Sequence, residues 1–366
     1  MAAIAIDLRM HRTSGIGTYL RNLIPLVVAS YPKDKFYLLG RIDEMSNYSW
    51  AYNENVVLID CRSPIYSVAE QLELFRKIPR DTTLFWSPHY NIPLLYSGRL
   101  LVTVHDVLHL AMPQYAEGPH KQFYAKGMFA ALRYKADAIL CDSNFTKNEL
   151  VRLTGQGRQA LYAIHIGLDE SWFHVKKHQS PHPKPFLLFV GNAKPHKNLG
   201  RLVEAFEAIK DKIPHDLVIV GQRKGFITGD RTATFKAAAV GARVQFTDHV
   251  EDELVSQYFA HADALVLPSL YEGFGLPPLE AMACGCPVLV SDTASLPEIC
   301  GDAALYCDPH STKDIAHKIR QLMDDEGLRE DLRMKGLERA KQFAWDKCAE
   351  QTLDVIEQVL QKKRES

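Results

Sequence analysis

The chain has 366 residues, of which 46% are hydrophobic and 24% charged, with a formal net charge of −1. That length gives room for two domains with full cores, and the balance is that of a globular protein in water. The charge excludes the strongly basic footprint of a nucleic-acid binder, and no apolar run approaches the ~20 residues that span a membrane. From the N-terminus, the first strand is expected at 3–8. It runs into Arg9-Met10-His11-Arg12-Thr13-Ser14-Gly15-Ile16-Gly17-Thr18-Tyr19, a glycine-bearing turn. A one-faced apolar stripe at Ile16, Tyr19, Leu20, Leu23, Ile24 and Val27 then predicts a helix. Further strands are predicted at 36–40, 56–60, 83–87, 100–105, 137–142 and 160–165. Apolar runs alternating with helical periods argue for an α/β fold with a mainly parallel, doubly wound sheet.

The stretch 175–185, with Lys176, Lys177, Pro181, Pro183 and Pro185, reads as a polar interdomain linker. A second series follows, with strands expected at 186–191, 216–221, 243–247, 264–268, 287–291 and 304–307. Helices are expected near 199–211, 252–260, 278–284, 311–324 and 328–342. A last helix, 346–361, has Cys348, Leu353, Ile356 and Leu360 as its apolar face. The two halves read as two Rossmann-type domains. Ligands of such sheets bind beyond the carboxyl ends of the strands, so two domains facing each other would form a cleft.

Candidate chemistry lies at those strand ends. The Gly15–Gly17 turn presents backbone N–H groups to a phosphate, or is a plain tight turn. Position 20 is leucine, so the third glycine of a dinucleotide fingerprint is missing. His105 and Asp106 end a strand, and the histidine serves as a donor to a substrate hydroxyl or as a packed, capping residue. Phe189-Val190-Gly191-Asn192-Ala193-Lys194-Pro195-His196-Lys197 repeats the pattern, with Lys194 and Lys197 set to neutralise a diphosphate or simply solvated. Tyr271-Glu272-Gly273-Phe274-Gly275-Leu276-Pro277-Pro278-Leu279-Glu280 places two carboxylates around a glycine loop that enters a helix. Prolines suit the first helical turn, and Glu280 is expected within it. Open N–H groups at a helix start favour an anion. Together these are the needs of a nucleotide-diphosphate-sugar site, where the charge that develops as the glycosidic bond breaks must be stabilised. There is no D-x-D pair for a divalent metal, and no HExxH, EF-hand, P-loop or G-x-S-x-G pattern.

Residues 1–168 carry 18 Lys and Arg against 14 Asp and Glu, and the remainder 25 against 30. So small an excess is ordinary solvated charge or a mildly basic face for anionic lipid or an anionic acceptor. The seven cysteines lack disulfide-like spacing, and Cys284-Gly285-Cys286 lacks the paired C-x-x-C of a zinc site, so reduced thiols in the cytoplasm are expected. The N-terminus enters its first strand without the pattern of a secretory signal.

The E-x7-E run from Glu272 to Glu280, within Leu270–Val288, resembles the signature of glycosyltransferase family 4, the retaining transferases with the GT-B fold. Ala262-Asp263-Ala264 and Leu267-Pro268-Ser269 before it, and Leu296-Pro297-Glu298 after it, extend the likeness, which spans nearly the whole chain. The resemblance implies an acceptor domain at 1–172, joined by a C-terminal helix of about 346–366 that packs back on it. The donor domain would be 173–345. It implies that Glu280 binds the ribose hydroxyls and that Glu272 lies near the donor sugar. Gly273 and the backbone N–H groups of Phe274, Gly275 and Leu276 would line the sugar and phosphate oxygens. Lys197 would bind the diphosphate, beside Asn192 and with Lys194 where relatives carry an arginine. Gly15 and Gly17 would lie over the phosphates, and His105 would meet the donor sugar through its side chain or carbonyl. No metal and no other cofactor is implied.

Ser14-Gly15-Ile16-Gly17-Thr18-Tyr19, Ser87-Pro88-His89-Tyr90-Asn91-Ile92-Pro93 and Thr103-Val104-His105-Asp106 look most like bacterial mannosyltransferases of O-antigen and exopolysaccharide assembly. GDP-mannose is the donor this implies, with UDP-, ADP- and dTDP-sugars as alternatives. A non-transferase nucleotide-sugar enzyme or a binding protein is the rival class. The expected partners are a nucleotide sugar, a glycan or lipid-linked acceptor and the cytoplasmic face of the inner membrane, touched peripherally, with no nucleic acid.

Overall fold

The computed structural model describes residues 1–115, 119–221, 237, 240–247 and 250–362. The chain divides into two compact units, Met1–Gly167 with the segment from Ala344 onward, and Leu168–Phe343.

The first unit holds a seven-stranded parallel sheet of β1 (Ala3–Asp7), β2 (Lys35–Gly40), β3 (Val56–Asp60), β4 (Leu84–Ser87), β5 (Arg99–Val104), β6 (Ala138–Cys141) and β7 (Ala160–Ala163). Their order across the sheet is β3-β2-β1-β4-β5-β6-β7. The second unit has six parallel strands, β8 (Phe186–Val190), β9 (Asp216–Val220), β10 (Val244–Thr247), β11 (Ala264–Leu267), β12 (Val288–Ser291) and β13 (Leu305–Cys307), ordered β10-β9-β8-β11-β12-β13. In both, the chain winds outward one way from its first strand and then the other, the Rossmann-like α/β plan. The inner strands are continuous apolar runs because helices cover both faces, as in Ala-Ile-Ala-Ile of β1 and Ala-Leu-Val-Leu of β11. Burial falls off at the edges β3, β7, β10 and β13, which have a neighbour on one side only.

All thirteen expected strands are present, with ends shifted by one or two residues. The C-terminal helix, Trp345–Gln361, packs on the helix Ser14–Ser30 and on β5 and β6. Tyr31 and Tyr162 anchor it by donating to the Leu353 carbonyl (3.4 Å) and to Gln358 Oε1 (2.7 Å). The last four residues of the expected 346–366 segment lie outside the described residues.

The proline-rich stretch 175–185 is not the linker. The units meet in sequence at Gly167/Leu168 and Phe343/Ala344, and 175–185 lies within the second unit. Side chains of the helix Asp252–His261 hold its backbone. Gln257 accepts from the His178 N–H (3.1 Å) and donates to the Lys176 carbonyl (2.9 Å), and His261 Nε2 donates to the His178 carbonyl (3.0 Å). Among the described residues no helix is long and apolar enough to cross a membrane.

Candidate active site

In the second unit β8 and β11 are neighbours, and the chain leaves them in opposite lateral directions. The loops beyond their carboxyl ends, 191–198 and 268–275, therefore stand side by side where a crevice opens. That topology brings Lys197 and Glu272 together although they are far apart in sequence. Lys197 Nζ donates to Glu272 Oε1 at 2.6 Å, and Ser269 Oγ donates to the same oxygen at 2.7 Å. The two side chains are only 15% and 11% exposed. Burial opposes the charge on Glu272, but Lys197, the nearby His196 and the Ser269 hydroxyl outweigh it and hold the carboxyl below its usual range.

The two loops are stitched together. The Leu270 N–H donates to the His196 carbonyl at 2.7 Å. Asn198, buried and left-handed at φ 60°, donates from Nδ2 to the carbonyls of Pro268 (2.9 Å) and Pro309 (2.7 Å). An asparagine tolerates that backbone region better than most residues. Ser295 Oγ reaches the Glu272 and Phe274 carbonyls, at 2.9 and 2.7 Å, and fixes the glycine loop from behind. Asn198 and Ser295 were not singled out in the sequence, and Ser269 only as part of Leu267-Pro268-Ser269, because only the fold brings these polar side chains to the loops.

The glycine loop ends in the helix Leu276–Ala283. Gly275 is its N-cap at φ 112°, a backbone region L side chains rarely adopt, and a Cβ there would also meet Leu296 Cδ2 at 2.9 Å. No side chain caps this helix start, and Pro277 lies in its first turn as expected. Glu280 does not. The helix begins two residues earlier than expected, at Leu276, so Glu280 is its fifth residue, half-buried in the second turn. Gly273 and Asn192 lie on the two loops. Lys194 precedes the short turn Pro195–Lys197 and its side chain is exposed, so the two lysines differ, one paired and half-buried, the other solvated.

In the first unit Gly15 and Gly17 are inside the first turn of the helix Ser14–Ser30 rather than in a loop ahead of it. The Gly17 N–H donates to the Thr13 carbonyl at 2.5 Å, so it belongs to the helix. Gly15 comes before that bond, among first-turn N–H groups that have no partner within a helix. His105 has both ring nitrogens engaged, Nδ1 with Asp142 Oδ2 at 2.7 Å and Nε2 with the Pro88 carbonyl at 2.9 Å. A carboxylate and a carbonyl both accept, so the ring carries two protons. Burial works against that cation, but Asp142 and the Pro88 carbonyl raise its pKa above the ordinary histidine value. The side chain is thus anchored at both nitrogens, and Asp106 accepts from the Leu108 N–H at 2.9 Å ahead of the next short helix.

The sign of the His105 effect follows. A pKa raised by folding stabilises the fold in full below the unfolded value and loses that contribution as pH rises through the folded one. Histidine ring NMR should show His105 still protonated above pH 6.5 in the wild type, and deprotonated at lower pH in Asp142→Asn. Identical titrations in the two proteins would contradict the pairing.

The matching switch point of the first unit, between β1 and β4, is filled by the chain's own charges. Arg9 donates from Nε to Asp7 Oδ1 (2.9 Å) and from Nη2 to Asp7 Oδ2 (2.5 Å), and meets Glu70 Oε1 at 2.6 Å. Asn91 Nδ2 donates to the same Glu70 oxygen at 2.5 Å. His89 Nδ1 accepts from the Asn91 N–H at 3.1 Å, which leaves the proton on Nε2, facing Asp7 Oδ2 at 3.3 Å. Burial opposes ionisation of Asp7, but Arg9 and His89 hold it far below the carboxylate range. Among the described residues no group of three or more His, Cys, Asp or Glu side chains could hold a metal ion.

Comparison with known proteins agrees with this architecture. Residues 170–339 match the family described as glycosyl transferases group 1. The O-antigen chain mannosyltransferase B of Escherichia coli is 29% identical over 285 residues, 74% of this chain and 73% of that protein. The serotype-specific mannosyltransferase WbdA of Escherichia coli is 27% identical over 276 residues, 71% of this chain, but the match spans only 34% of that longer protein. The GDP-mannose-dependent alpha-(1-6)-phosphatidylinositol dimannoside mannosyltransferase of Mycobacterium tuberculosis is 28% identical over 229 residues, 60% of this chain and 57% of that one. In fold, the sucrose-phosphate synthase of Thermosynechococcus elongatus superposes with a TM-score of 0.76 at 21% identity, covering 98% of this chain and 99% of its own. The second unit thus carries a match to the glycosyl transferases group 1 family, and the chain, with two Rossmann-like parallel sheets, has the fold of that synthase and is similar in sequence to mannosyltransferases.

Proposed function

We propose that the chain transfers mannose from GDP-mannose to a glycan or lipid-linked acceptor, with retention of the anomeric configuration and without a metal. The observation that carries the site assignment is the Lys197–Glu272 pair at the β8/β11 switch point, beside the uncapped start of the helix Leu276–Ala283. A diphosphate entering there meets a lysine and an open helix N-terminus, which supply the positive charge a metal would otherwise bring. It competes with Glu272 for Lys197, and the carboxylate so released faces the sugar. Glu280 binds the nucleotide ribose from the following turn. The first unit offers Gly15 and Gly17 in a helix start for phosphate oxygens and the His105 carbonyl, rather than its engaged ring, for a sugar. Mannose is supported by the names of the relatives, one of them GDP-mannose-dependent.

For retention, the leaving phosphate takes the acceptor proton as the new bond forms on the same face. Glu272, ionised and still held by the Ser269 hydroxyl, stabilises the developing positive charge and forms no covalent bond. Trapping a glycosyl–Glu272 adduct would overturn that role. The donor is tested by a panel of nucleotide sugars, read by calorimetric binding and by slow hydrolysis without acceptor. GDP-mannose is expected to bind and turn over best, with hydrolysis unaffected by EDTA. Preference for a UDP-, ADP- or dTDP-sugar would replace the donor, and loss of turnover in EDTA would replace the metal-free mechanism. We place the enzyme in the cytoplasm, in peripheral contact with the membrane that carries a lipid-linked acceptor.

A further inference from the structure

The helix Val68–Lys77 buries a carboxylate beside Leu74 and turns an apolar stripe outward. Its exposed positions are Val68, Ala69, Leu72, Phe75 and Arg76, at the spacing of one helical face. Val68 is 79% exposed and Phe75 58%. The inward face carries Leu74 and Glu70, the carboxylate fully buried on Arg9 and Asn91 and also accepting from the Tyr66 N–H at 2.7 Å. Rolling the helix to bury its apolar stripe would pull that carboxylate off its cation, so the charge pair locks the apolar face outward. The patch continues sideways. Gln71 donates to the Ile92 carbonyl (3.2 Å) and accepts from the Leu94 N–H (2.8 Å), which holds exposed Leu94 and Leu95 beside the helix.

The charges along the C-terminal end of this face are Arg76, Lys77 and Arg80 against Glu73 and Asp81. Arg76 and Arg80 are exposed, with no ion-pair partner among the described residues. Of the acids, Glu73 is taken by Lys77 at 2.8 Å and by the N–H groups of Arg62 (3.2 Å) and Ser63 (2.7 Å), and Asp81 accepts from the Tyr37 hydroxyl at 2.6 Å. A face of large aliphatic and aromatic side chains, bordered by two unpaired guanidinium groups and with its acids engaged by Lys77 and the Tyr37 hydroxyl, complements a surface that is anionic outside and apolar beneath. We propose that Val68, Leu72, Phe75, Leu94 and Leu95 insert into an anionic lipid surface, with Arg76 and Arg80 on its phosphates. This inference rests on the membrane contact proposed above and names the surface that makes it.

The test is flotation of the full chain with phosphatidylcholine vesicles, with and without phosphatidylglycerol. The wild type should float with the anionic vesicles at low salt, weakly with the neutral ones, and less as salt rises. Leu72→Glu/Phe75→Glu should lower the bound fraction about tenfold with an unchanged thermal melt, and Arg76→Glu/Arg80→Glu should remove the salt dependence. Independently, Trp emission of Phe75→Trp should shift to the blue only with anionic vesicles. No flotation of the wild type would sink the membrane contact itself, whereas equal flotation of wild type and Leu72→Glu/Phe75→Glu would sink this surface alone. A dimer abolished by the same double variant would assign the face to a second copy and overturn the proposal. Transfer to a water-soluble acceptor should be the same in all variants, which separates failure of this surface from failure of the transferase reading.

Discussion

Glu272→Gln is expected to lower kcat by about 10²- to 10⁴-fold, the range for a positioned carboxylate or electrostatic stabiliser. Nucleotide binding should stay measurable, because the helix start at Leu276 and Glu280 are untouched. The same substitution leaves Lys197 in a largely buried position without its counter-charge. Breaking a fully buried pair costs about 3–5 kcal/mol, and the residual exposure of both side chains brings the expectation to about 2–3 kcal/mol. Replacing both partners by apolar residues, Lys197→Met with Glu272→Leu, should recover much of that stability and none of the activity. The acid limb gives an independent readout. Glu272 titrates below its ordinary value of 4.5, so its contribution is present above that value and is lost as pH falls through the folded pKa. The Gln variant should therefore lose less stability than the wild type on acidification. Denaturant titration, steady-state kinetics and calorimetric nucleotide binding check the three parts, and an unchanged kcat would remove Glu272 from the site.

Gly167→Ala should be the most damaging small substitution in the first unit. Gly167 lies where the chain returns past the start of its last helix, and a Cβ there would strike the backbone nitrogen and Cα of Trp345 and sit 2.6 Å from its Cγ. Backbone cannot step aside as a flexible side chain can, so overpacking should cost about 3 kcal/mol. For a unit of this size that is a fall in melting temperature of roughly 6–12 °C. The strain falls on the seating of the helix Trp345–Gln361 on the helix Ser14–Ser30. Limited proteolysis should cut first near Ala344 in the variant. A calorimetric trace and digestion pattern like those of the wild type would show that this close approach can relax.

The strands were legible because parallel strands covered on both faces are continuous apolar runs, and no tertiary information is needed to see Phe-Leu-Leu-Phe-Val or Ala-Leu-Val-Leu. The helix Val68–Lys77 was not legible for the converse reason. A carboxylate shares its core face with Leu74 while Val68, Leu72 and Phe75 face outward, so its period is misleading until Arg9 is found beneath it. The linker was misplaced because Pro and Lys mark an irregular segment, and nothing local says that Gln257 and His261 will hold that segment against the second unit.

The site divides in the same way. Glu272, Glu280, Lys197, His105 and the glycine loop were visible as residue types at strand ends, because open α/β sheets bind ligands there. Their states were not. That Lys197 and Glu272 form one ion pair depends on the order β8-β11 across the sheet, which sequence order does not state. His105 is a committed cation only because β6 delivers Asp142 beside it, and Glu280 moves into the second turn because Gly275 lets the helix start early. The amino-acid sequence by itself determined the elements, the two sheets and the candidate side chains, since these follow from local periodicity and turn chemistry. Only the tertiary structure decided which charges neutralise one another and which apolar face stays in water, since both depend on contacts between residues far apart in the chain.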